Sequence, residues 1–175
     1  MGLKGRVMEL LLAADDPGLQ ALARQEPRVS RHLLGRLWDP DEGIRNLAAR
    51  ALGAFAEGHP RLAEDLLRRL LWGLNDESAT NGVYGIAAIG EIGFRRPDVV
   101  APFVAPMASY LWDDGLRTSI LRALARIHES APELIEPIRS MIEGFRTSTE
   151  SEDRRLAARL LGGGQGELNG ARETE

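Results

Sequence analysis

Residues 39–53 of this 175-residue chain read DPDEGIRNLAARALG. Their apolar positions, from Ile44 to Leu52, recur at spacings of three and four, which is the period of an α-helix. The end of this segment returns near the end of the chain, because residues 45–53, RNLAARALG, are echoed by residues 154–162, RRLAARLLG. A helical segment that recurs indicates a protein built from repeated helical units.

Four prolines give the register of the repeat. Pro27, Pro60, Pro97 and Pro132 lie 33, 37 and 35 residues apart. At the positions eight and five residues before each proline and two, six and ten residues after it, all twenty residues are apolar, although only 43% of the residues in the whole chain are hydrophobic. These positions are Leu19, Leu22, Val29, Leu33, Leu37, Leu52, Phe55, Leu62, Leu66, Leu70, Ile89, Ile92, Val99, Phe103, Met107, Leu124, Ile127, Leu134, Ile138 and Ile142. Each unit is predicted to be a pair of amphipathic helices, with the proline in the first turn of the second helix, where its missing N–H is not needed.

Helix pairs of this kind bury their apolar stripes by stacking on one another, so the expected fold is all-α, an α-solenoid of antiparallel helix pairs. The predicted elements of a single domain at 1–161 are an opening helix at 3–14, helix pairs at about 16–38, 40–74, 76–112 and 114–145, and a closing helix at 151–161. Residues 162–175 have little to bury and are expected to form a disordered tail.

The segment at 39–53 resembles the consensus first helix of HEAT-like repeats of the phycobilisome-lyase type. The resemblance is fair in the helix pair at about 114–145 and in the closing helix, weaker in the helix pair at about 76–112, and covers about residues 17–162. It implies a HEAT-like superhelix. Because that family includes scaffolds, regulators and bilin lyases, the resemblance also implies a protein-interaction surface as the default function.

Composition and motifs argue against several function classes. The 26 acidic and 22 basic side chains give a net charge of −4, which argues against a protein that mainly coats nucleic acid or anionic membrane. The absence of cysteine excludes disulfides, thiolate nucleophiles and cysteine zinc sites. The three histidines fall in different units without metal-ligand spacing, and the carboxylate pairs are explained by helix capping. We therefore predict no catalytic residue, no metal and no cofactor.

No apolar run in the chain approaches the roughly 18 residues of a membrane span, and the first residues do not form a signal peptide. A cytoplasmic protein is expected. The basic residues are 21 arginines and one lysine, Lys4. Codon bias is the expected cause of this skew, with a hot habitat and a need for bidentate hydrogen bonding as the alternatives.

Departures from the repeat pattern are the candidate functional positions. Residues 75–85, NDESATNGVYG, begin the helix pair at about 76–112, which we call the second full repeat, with polar residues and glycines. Gly82 and Gly85 each cost about 1 kcal/mol of helix stability relative to alanine. Close packing is the expected reason, and a binding site is the alternative. The residues predicted to supply polar contacts in such a site are Asp76, Glu77, Ser78, Asn81 and Tyr84.

Tryptophans recur at the ends of the second helices. Trp38, Trp72 and Trp112 each precede an acidic turn, and we expect them mainly to pack at the junctions between repeats. If they face the groove instead, they become binding hot spots, so Trp72 and Trp112 complete the candidate site.

Charged residues divide between the two ends of the chain. The second helices of the first two units contain Arg28, Arg31, Arg36, Arg61, Arg68 and Arg69, whereas the later units contain Asp98, Glu133, Glu136 and Glu143. The groove is therefore expected to be basic at its N-terminal end and acidic at its C-terminal end. A solvated face is the simpler interpretation, and recognition of a polar partner in one orientation is the alternative.

Two structural details are also expected. Three acid–arginine pairs at the i,i+4 spacing begin the first helices: Asp41 with Arg45, Asp113 with Arg117, and Glu150 with Arg154. Prolines inside two second helices, Pro102 and Pro137, predict late starts near Ala101 and Glu136, or kinks.

The predicted function is a non-enzymatic protein-interaction or scaffold module, which uses the curved face of the solenoid and the polar start of the second full repeat to bind another protein. One alternative is an accessory factor for a pigment or prosthetic-group protein, acting non-covalently because the chain has no cysteine. A DNA-binding repair protein is a weaker alternative, because it requires a continuous basic groove.

Overall fold

A computed structural model describes residues 2–75 and 80–162, and these residues form helices joined by turns. The α-helices of this part of the chain are α1 (Leu3–Leu12), α2 (Asp16–Gln25), α3 (Val29–Leu34), α4 (Glu42–Gly58), α5 (Pro60–Trp72), α6 (Thr80–Arg95), α7 (Pro97–Ala108), α8 (Asp114–His128), α9 (Arg139–Glu143) and α10 (Ser151–Leu160). Short 3-10 segments cover Gly73–Asn75, Pro132–Leu134, Glu136–Ile138 and Gly144–Thr147. The predicted all-α class is confirmed for the described residues, whereas the tail beyond residue 162 lies outside them.

The even-numbered helices form one row, in which α2 contacts α4, α4 contacts α6, α6 contacts α8, and α8 contacts α10. The odd-numbered helices pack against this row: α1 contacts α2 and α4, α5 contacts α4 and α6, and α7 contacts α6 and α8. The apolar side chains between the two sets form one continuous cluster that extends from Val7 to Leu161. The core is therefore shared by successive helices along the chain.

The apolar repeat positions supply much of this core. Sixteen of the twenty positions are buried, and Leu22, Phe103 and Leu134 are half-buried. Leu62 differs, with 47% of its surface exposed. The spacing of apolar residues from the prolines thus identified the buried face of the repeat.

Neighbouring helices of the even row approach each other at glycines. A Cβ atom added to Gly53 of α4 would lie 2.7 Å from the backbone oxygen of Glu91 in α6, a distance that real Cβ atoms do not show. The four glycines of α6 are packed in a similar way, since an added Cβ would lie 2.9 Å from Leu74 at Gly82, 3.1 Å from Leu70 at Gly85, 3.0 Å from Ala123 at Gly90, and 2.5 Å from Ile127 at Gly93. Close packing, the first of the two explanations, accounts for these glycines.

Prolines begin two of the second helices, as predicted, because Pro60 and Pro97 are the first residues of α5 and α7. The late start predicted near Ala101 is wrong, since α7 is helical from Pro97 through both Pro102 and Pro106. Both interior prolines are exposed, so water can reach the carbonyls that lose a donor. In the fourth unit the expected delay does occur, and the α-helix begins only at Arg139, after two 3-10 segments.

The arginines that begin α4, α8 and α10 bind turn carbonyls, and the predicted i,i+4 ion pairs are wrong. The oxygens that accept lie six and five residues earlier in each case: Arg45 donates to Asp39 (2.8 Å) and Pro40 (3.0 Å), Arg117 to Leu111 (2.9 Å) and Trp112 (3.3 Å), and Arg154 to Ser148 (2.6 Å) and Thr149 (2.8 Å). Two of the acids, Asp41 and Asp113, instead cap helix N-termini by accepting backbone N–H bonds. Each arginine therefore holds the turn that leads into its helix.

Candidate functional site

The tryptophans are exposed, so the expectation that they mainly pack at repeat junctions is wrong. Trp72 is 78% exposed, Trp112 is 74% exposed and Trp38 is 41% exposed. The residues that precede Trp38 and Trp112 are the buried leucines Leu37 and Leu111. Because consecutive side chains on a helix or helical turn point in different directions, each leucine enters the core and its tryptophan faces outward.

Two concave regions join the ends of the odd-numbered helices where the tryptophans lie. The first, which we call the Trp38 pocket, has a volume of 330 Å³ and is lined by Arg31, Leu34, Gly35, Trp38, Arg69, Leu70, Gly73 and Gly85. The second, the Trp72 groove, has a volume of 320 Å³ and is lined by Arg68, Leu71, Trp72, Phe103, Pro106, Ser109 and Tyr110. The ends of α3, α5 and α7 are thus adjacent, and we call their surface, with Trp112, the tryptophan edge.

Trp112 is held in place from its backbone. Its carbonyl oxygen accepts a hydrogen bond from Arg117, whose guanidinium carbon lies 5.0 Å from the ring centroid of Phe145. The turn that carries the exposed indole is therefore fixed by an arginine that is itself stacked on an aromatic ring. A fixed backbone reduces the conformational entropy that Trp112 loses on binding a partner.

The predicted polar contacts fall mostly outside the described structure. Asp76, Glu77 and Ser78 lie outside the described residues, and the side chain of Asn81 is likewise not described. Tyr84 is half-buried, and the guanidinium carbon of Arg45 lies 5.0 Å from its ring centroid. Its ring therefore supports the arginine that holds the turn before α4, a packing role that the sequence pattern did not indicate.

The charge gradient predicted along the odd-numbered helices is partly cancelled by local pairs. Arg36 pairs with Asp39 at 3.2 Å and Arg68 pairs with Asp65 at 2.7 Å. Arg28, Arg31, Arg61 and Arg69 have no ion pair with any other described residue, so they carry the basic end of the gradient. Toward the C-terminus, the hydrogen bond from Arg96 holds the pKa of Asp98 below its usual value.

A ladder of ion pairs crosses the even row, and the sequence pattern had not identified it. Its members connect neighbouring helices: Asp16–Arg50 (2.9 Å), Arg24–Glu57 (2.5 Å), Glu57–Arg95 (3.1 Å), Glu91–Arg126 (3.0 Å), Glu129–Arg159 (2.7 Å) and Arg122–Glu152 (3.2 Å). Burial raises the pKa of Glu57, but hydrogen bonds from Arg24 and Arg95 outweigh that effect and lower it below its usual value. The signal in the sequence was the recurrence of arginine at one repeat position, at 50, 122 and 159.

A groove of 360 Å³ lies across α4, α6 and α8 on the ladder side. It opens beside Ala87, which occupies in α6 the repeat position of Arg50 and Arg122. Arg50, Arg122 and Arg126 line it, and each is already paired with a carboxylate of another helix. All three described arginines of this groove are therefore already paired, whereas Arg31 and Arg69 at the tryptophan edge pair with no described residue.

Within residues 2–75 and 80–162, no three histidine or carboxylate side chains cluster as metal ligands would. None of the helices described there is both long enough and apolar enough to cross a membrane.

Comparisons with known proteins support the fold and do not indicate an activity. No protein-family model matches the chain. It is 30% identical over 116 residues to an uncharacterized protein of Archaeoglobus fulgidus, an alignment that covers 63% of this chain and 62% of that protein. The crystal structure of an engineered protein is similar with a TM-score of 0.52 and 20% identity, over 93% of this chain and 47% of the engineered one. The chain thus spans less than two thirds of either protein, and the structural likeness concerns the fold alone.

Proposed function

We propose that the chain is a non-enzymatic protein-interaction module that binds another protein through the tryptophan edge. The observation that carries this proposal is the exposure of Trp72 and Trp112, at 78% and 74%. Large exposed aromatic side chains mark interaction surfaces, because an indole buries a large apolar area at a low cost in conformational entropy. The polar start of the second full repeat follows Trp72 directly in sequence, and we propose that it takes part in the same binding.

The proposed architecture is an α-solenoid of HEAT-like repeats. Each even-numbered helix contacts the next one along the row, and odd-numbered helices pack against that row. The conserved spacing of buried positions from Pro60 and Pro97 supports equivalent units. In such an array each unit contacts its neighbours, so the ends of the second helices form a continuous edge on which a partner segment can lie.

The interaction surface lies on the tryptophan edge rather than on the ladder side. On the ladder side, Arg50, Arg122 and Arg126 are bound by carboxylates of neighbouring helices, so a ligand would have to displace existing ion pairs. On the tryptophan edge, the indoles of Trp72 and Trp112 face solvent and need only lose water. Binding there costs less reorganisation of the free protein.

Affinity capture from an extract of the source organism, followed by mass spectrometry, tests the proposal. The full chain is compared with a Trp72→Ala/Trp112→Ala variant and with Leu12→Ala, a control that removes a 71% exposed apolar side chain at the end of α1. We expect specific partners to be retained by the wild type and by Leu12→Ala and lost from the double variant. Equal capture by all three proteins would contradict a role for the tryptophan edge.

A further inference from the structure

The Trp38 pocket has the dimensions and the lining of a site for one apolar side chain. Its volume of 330 Å³ falls within the range of about 300–1,000 Å³ that is typical of ligand pockets. Leu34 and Trp38 from the α3 side and Leu70 from α5 provide apolar walls. Because Trp38 is 41% exposed, part of its indole is available to a bound group.

Two glycines keep the pocket open without any structural need for glycine. Gly35 and Gly73 follow α3 and α5 with φ angles of −61° and −62°, which any L-residue adopts without strain. A Cβ atom at Gly73 would meet nothing within 4 Å, and one at Gly35 would meet only the backbone oxygen of His32, at 3.7 Å. This contrasts with Gly53, where an added Cβ would clash with a neighbouring helix. The missing side chains at these two positions therefore leave space for a ligand.

Two arginines without an ion pair to any described residue lie at the same pocket. Arg31 from α3 and Arg69 from α5 both line it, and neither forms an ion pair within residues 2–75 and 80–162. Arg68, the neighbour of Arg69, is by contrast bound by Glu64 and Asp65. The described residues that line the pocket include no carboxylate. An apolar cavity with two guanidinium groups that no described carboxylate pairs with complements a group that is apolar at its centre and negatively charged at its margin.

We propose that the Trp38 pocket binds a large apolar side chain from an acidic segment of the partner protein, whose flanking carboxylates pair with Arg31 and Arg69. This inference rests on the proposed function and names the chemical class of the partner. A nucleic acid would also offer stacking groups and negative charge, but its phosphates continue beyond the two arginines, and the neighbouring basic residue Arg68 is already paired with Glu64 and Asp65. An acidic peptide meets the two arginines without extending along the whole edge.

Selection of peptides from a phage-displayed library of random twelve-residue sequences, panned on the full chain, supplies the probe. We expect the enriched sequences to contain a leucine or an aromatic residue with aspartate or glutamate within two positions of it. The peptide that is most enriched is then synthesised with a fluorescent label, and its affinity is measured by fluorescence anisotropy. A single-stranded DNA oligonucleotide with the same label is measured in parallel.

Two pairs of variants separate the pocket from the rest of the surface. Arg69→Glu reverses the charge at the pocket, and Arg61→Glu makes the same change in charge eight residues earlier on α5, about 12 Å away along the helix. Gly73→Leu fills the pocket, and Gly144→Leu places the same side chain after α9, at another glycine whose added Cβ meets nothing. Thermal unfolding of every variant checks that the fold is retained, and Arg69→Gln provides a second, uncharged replacement.

We expect Arg69→Glu to weaken peptide binding at least about tenfold, the loss that corresponds to one charge-assisted hydrogen bond. Gly73→Leu, which fills the pocket, is expected to weaken binding by at least the same factor, whereas the control variants bind within about twofold of the wild type. Three outcomes would overturn the proposal: no enriched peptide, peptides without acidic residues, or equal affinity for wild type and both pocket variants. Tighter binding of the oligonucleotide than of the peptide would also overturn it. Because capture of a natural partner depends on Trp72 and Trp112, that result stands or fails independently of this one.

Discussion

The ladder side and the tryptophan edge use the same residue types in opposite ways. On the ladder side, Arg126 lies 3.4 Å from the ring centroid of Phe94 and also pairs with Glu91, so its charge and its planar face are both occupied. At the tryptophan edge, Arg69 and Trp38 line an open pocket, and no described carboxylate pairs with the arginine. The two surfaces differ in whether a described residue of a neighbouring helix supplies a carboxylate to the arginine. Where it does not, the surface is available to another molecule.

The largest expected change in the free energy of unfolding comes from substituting glycines on the two surfaces. Gly53→Ala is expected to destabilise the protein by about 2–3 kcal/mol, because its Cβ would lie 2.7 Å from the backbone oxygen of Glu91 and the two helices would have to separate. Gly73→Ala, at the open pocket, is expected to stabilise it by about 0.4–1 kcal/mol. Urea unfolding of both variants measures the difference. A similar loss of stability in both would show that Gly73 is also a packing glycine.

The next effect concerns the arginines that bind turn carbonyls. Arg45→Lys is expected to lower the free energy of unfolding by about 1–2 kcal/mol, because an ammonium group that donates to the two carbonyl oxygens has no planar face to place over Tyr84 as the guanidinium does. Arg61→Lys, at a position without an ion pair among the described residues, is the matched control and should change stability by less than about 0.5 kcal/mol. Equal values for the two variants would indicate that the turn does not depend on Arg45. A clear difference would give the excess of arginine over lysine a structural cause in addition to codon bias.

Most of the buried face could be predicted from the sequence because helical periodicity is a local property. The offsets from Pro60 and Pro97 required only that each unit repeat the same pair of helices, and the buried positions agree with that requirement. The arginine contacts could not be predicted in the same way. The i,i+4 rule compares side chains on one helix, whereas Arg45 reaches back to backbone oxygens of the preceding turn.

The candidate site was predicted in part. The sequence pattern predicts Trp72 and Trp112 as candidate binding residues, but their exposure could not be derived, because they stand at helix ends where the helical period no longer fixes the direction of a side chain. Trp38, Arg31 and Arg69 come together only through the packing of α3 against the end of α5. Their separation in sequence gave no indication of a shared pocket. Tyr84 was chosen as a polar contact, and its ring is instead partly covered by Arg45.

A smaller change in stability is expected when the pH is lowered and a carboxylate of the ion-pair ladder takes up a proton. The pKa of Glu57 is lowered in the folded protein, so the unfolded chain takes up a proton at this position first as the pH falls. The stability that Glu57 contributes is therefore fully present above about pH 4.5 and is lost as the pH falls through the pKa of the folded state. Because the pair is partly exposed, we expect Glu57→Gln to cost less than about 1 kcal/mol at pH 7 and still less at pH 3.5.

Urea unfolding of the wild type and Glu57→Gln at the two pH values measures this change. Glu133→Gln is the matched control, because Glu133 forms no ion pair with another described residue and the change in net charge is the same. A Glu57→Gln variant that loses as much stability with acid as the wild type would show that the ladder does not contribute through this carboxylate.

The smallest effect on stability is expected at the tryptophan edge itself. Trp112→Ala should change the free energy of unfolding by less than about 0.5 kcal/mol, because the side chain is 74% exposed and the turn is held by hydrogen bonds from Arg117 to backbone oxygens. Arg117→Ala should destabilise the protein by more than that, although the indole is left intact. Thermal unfolding of the two variants distinguishes the role of the turn from the role of the side chain. A large loss of stability in Trp112→Ala would mean that the indole packs on the protein, and the surface that it offers to a partner would have to be smaller than its exposure indicates.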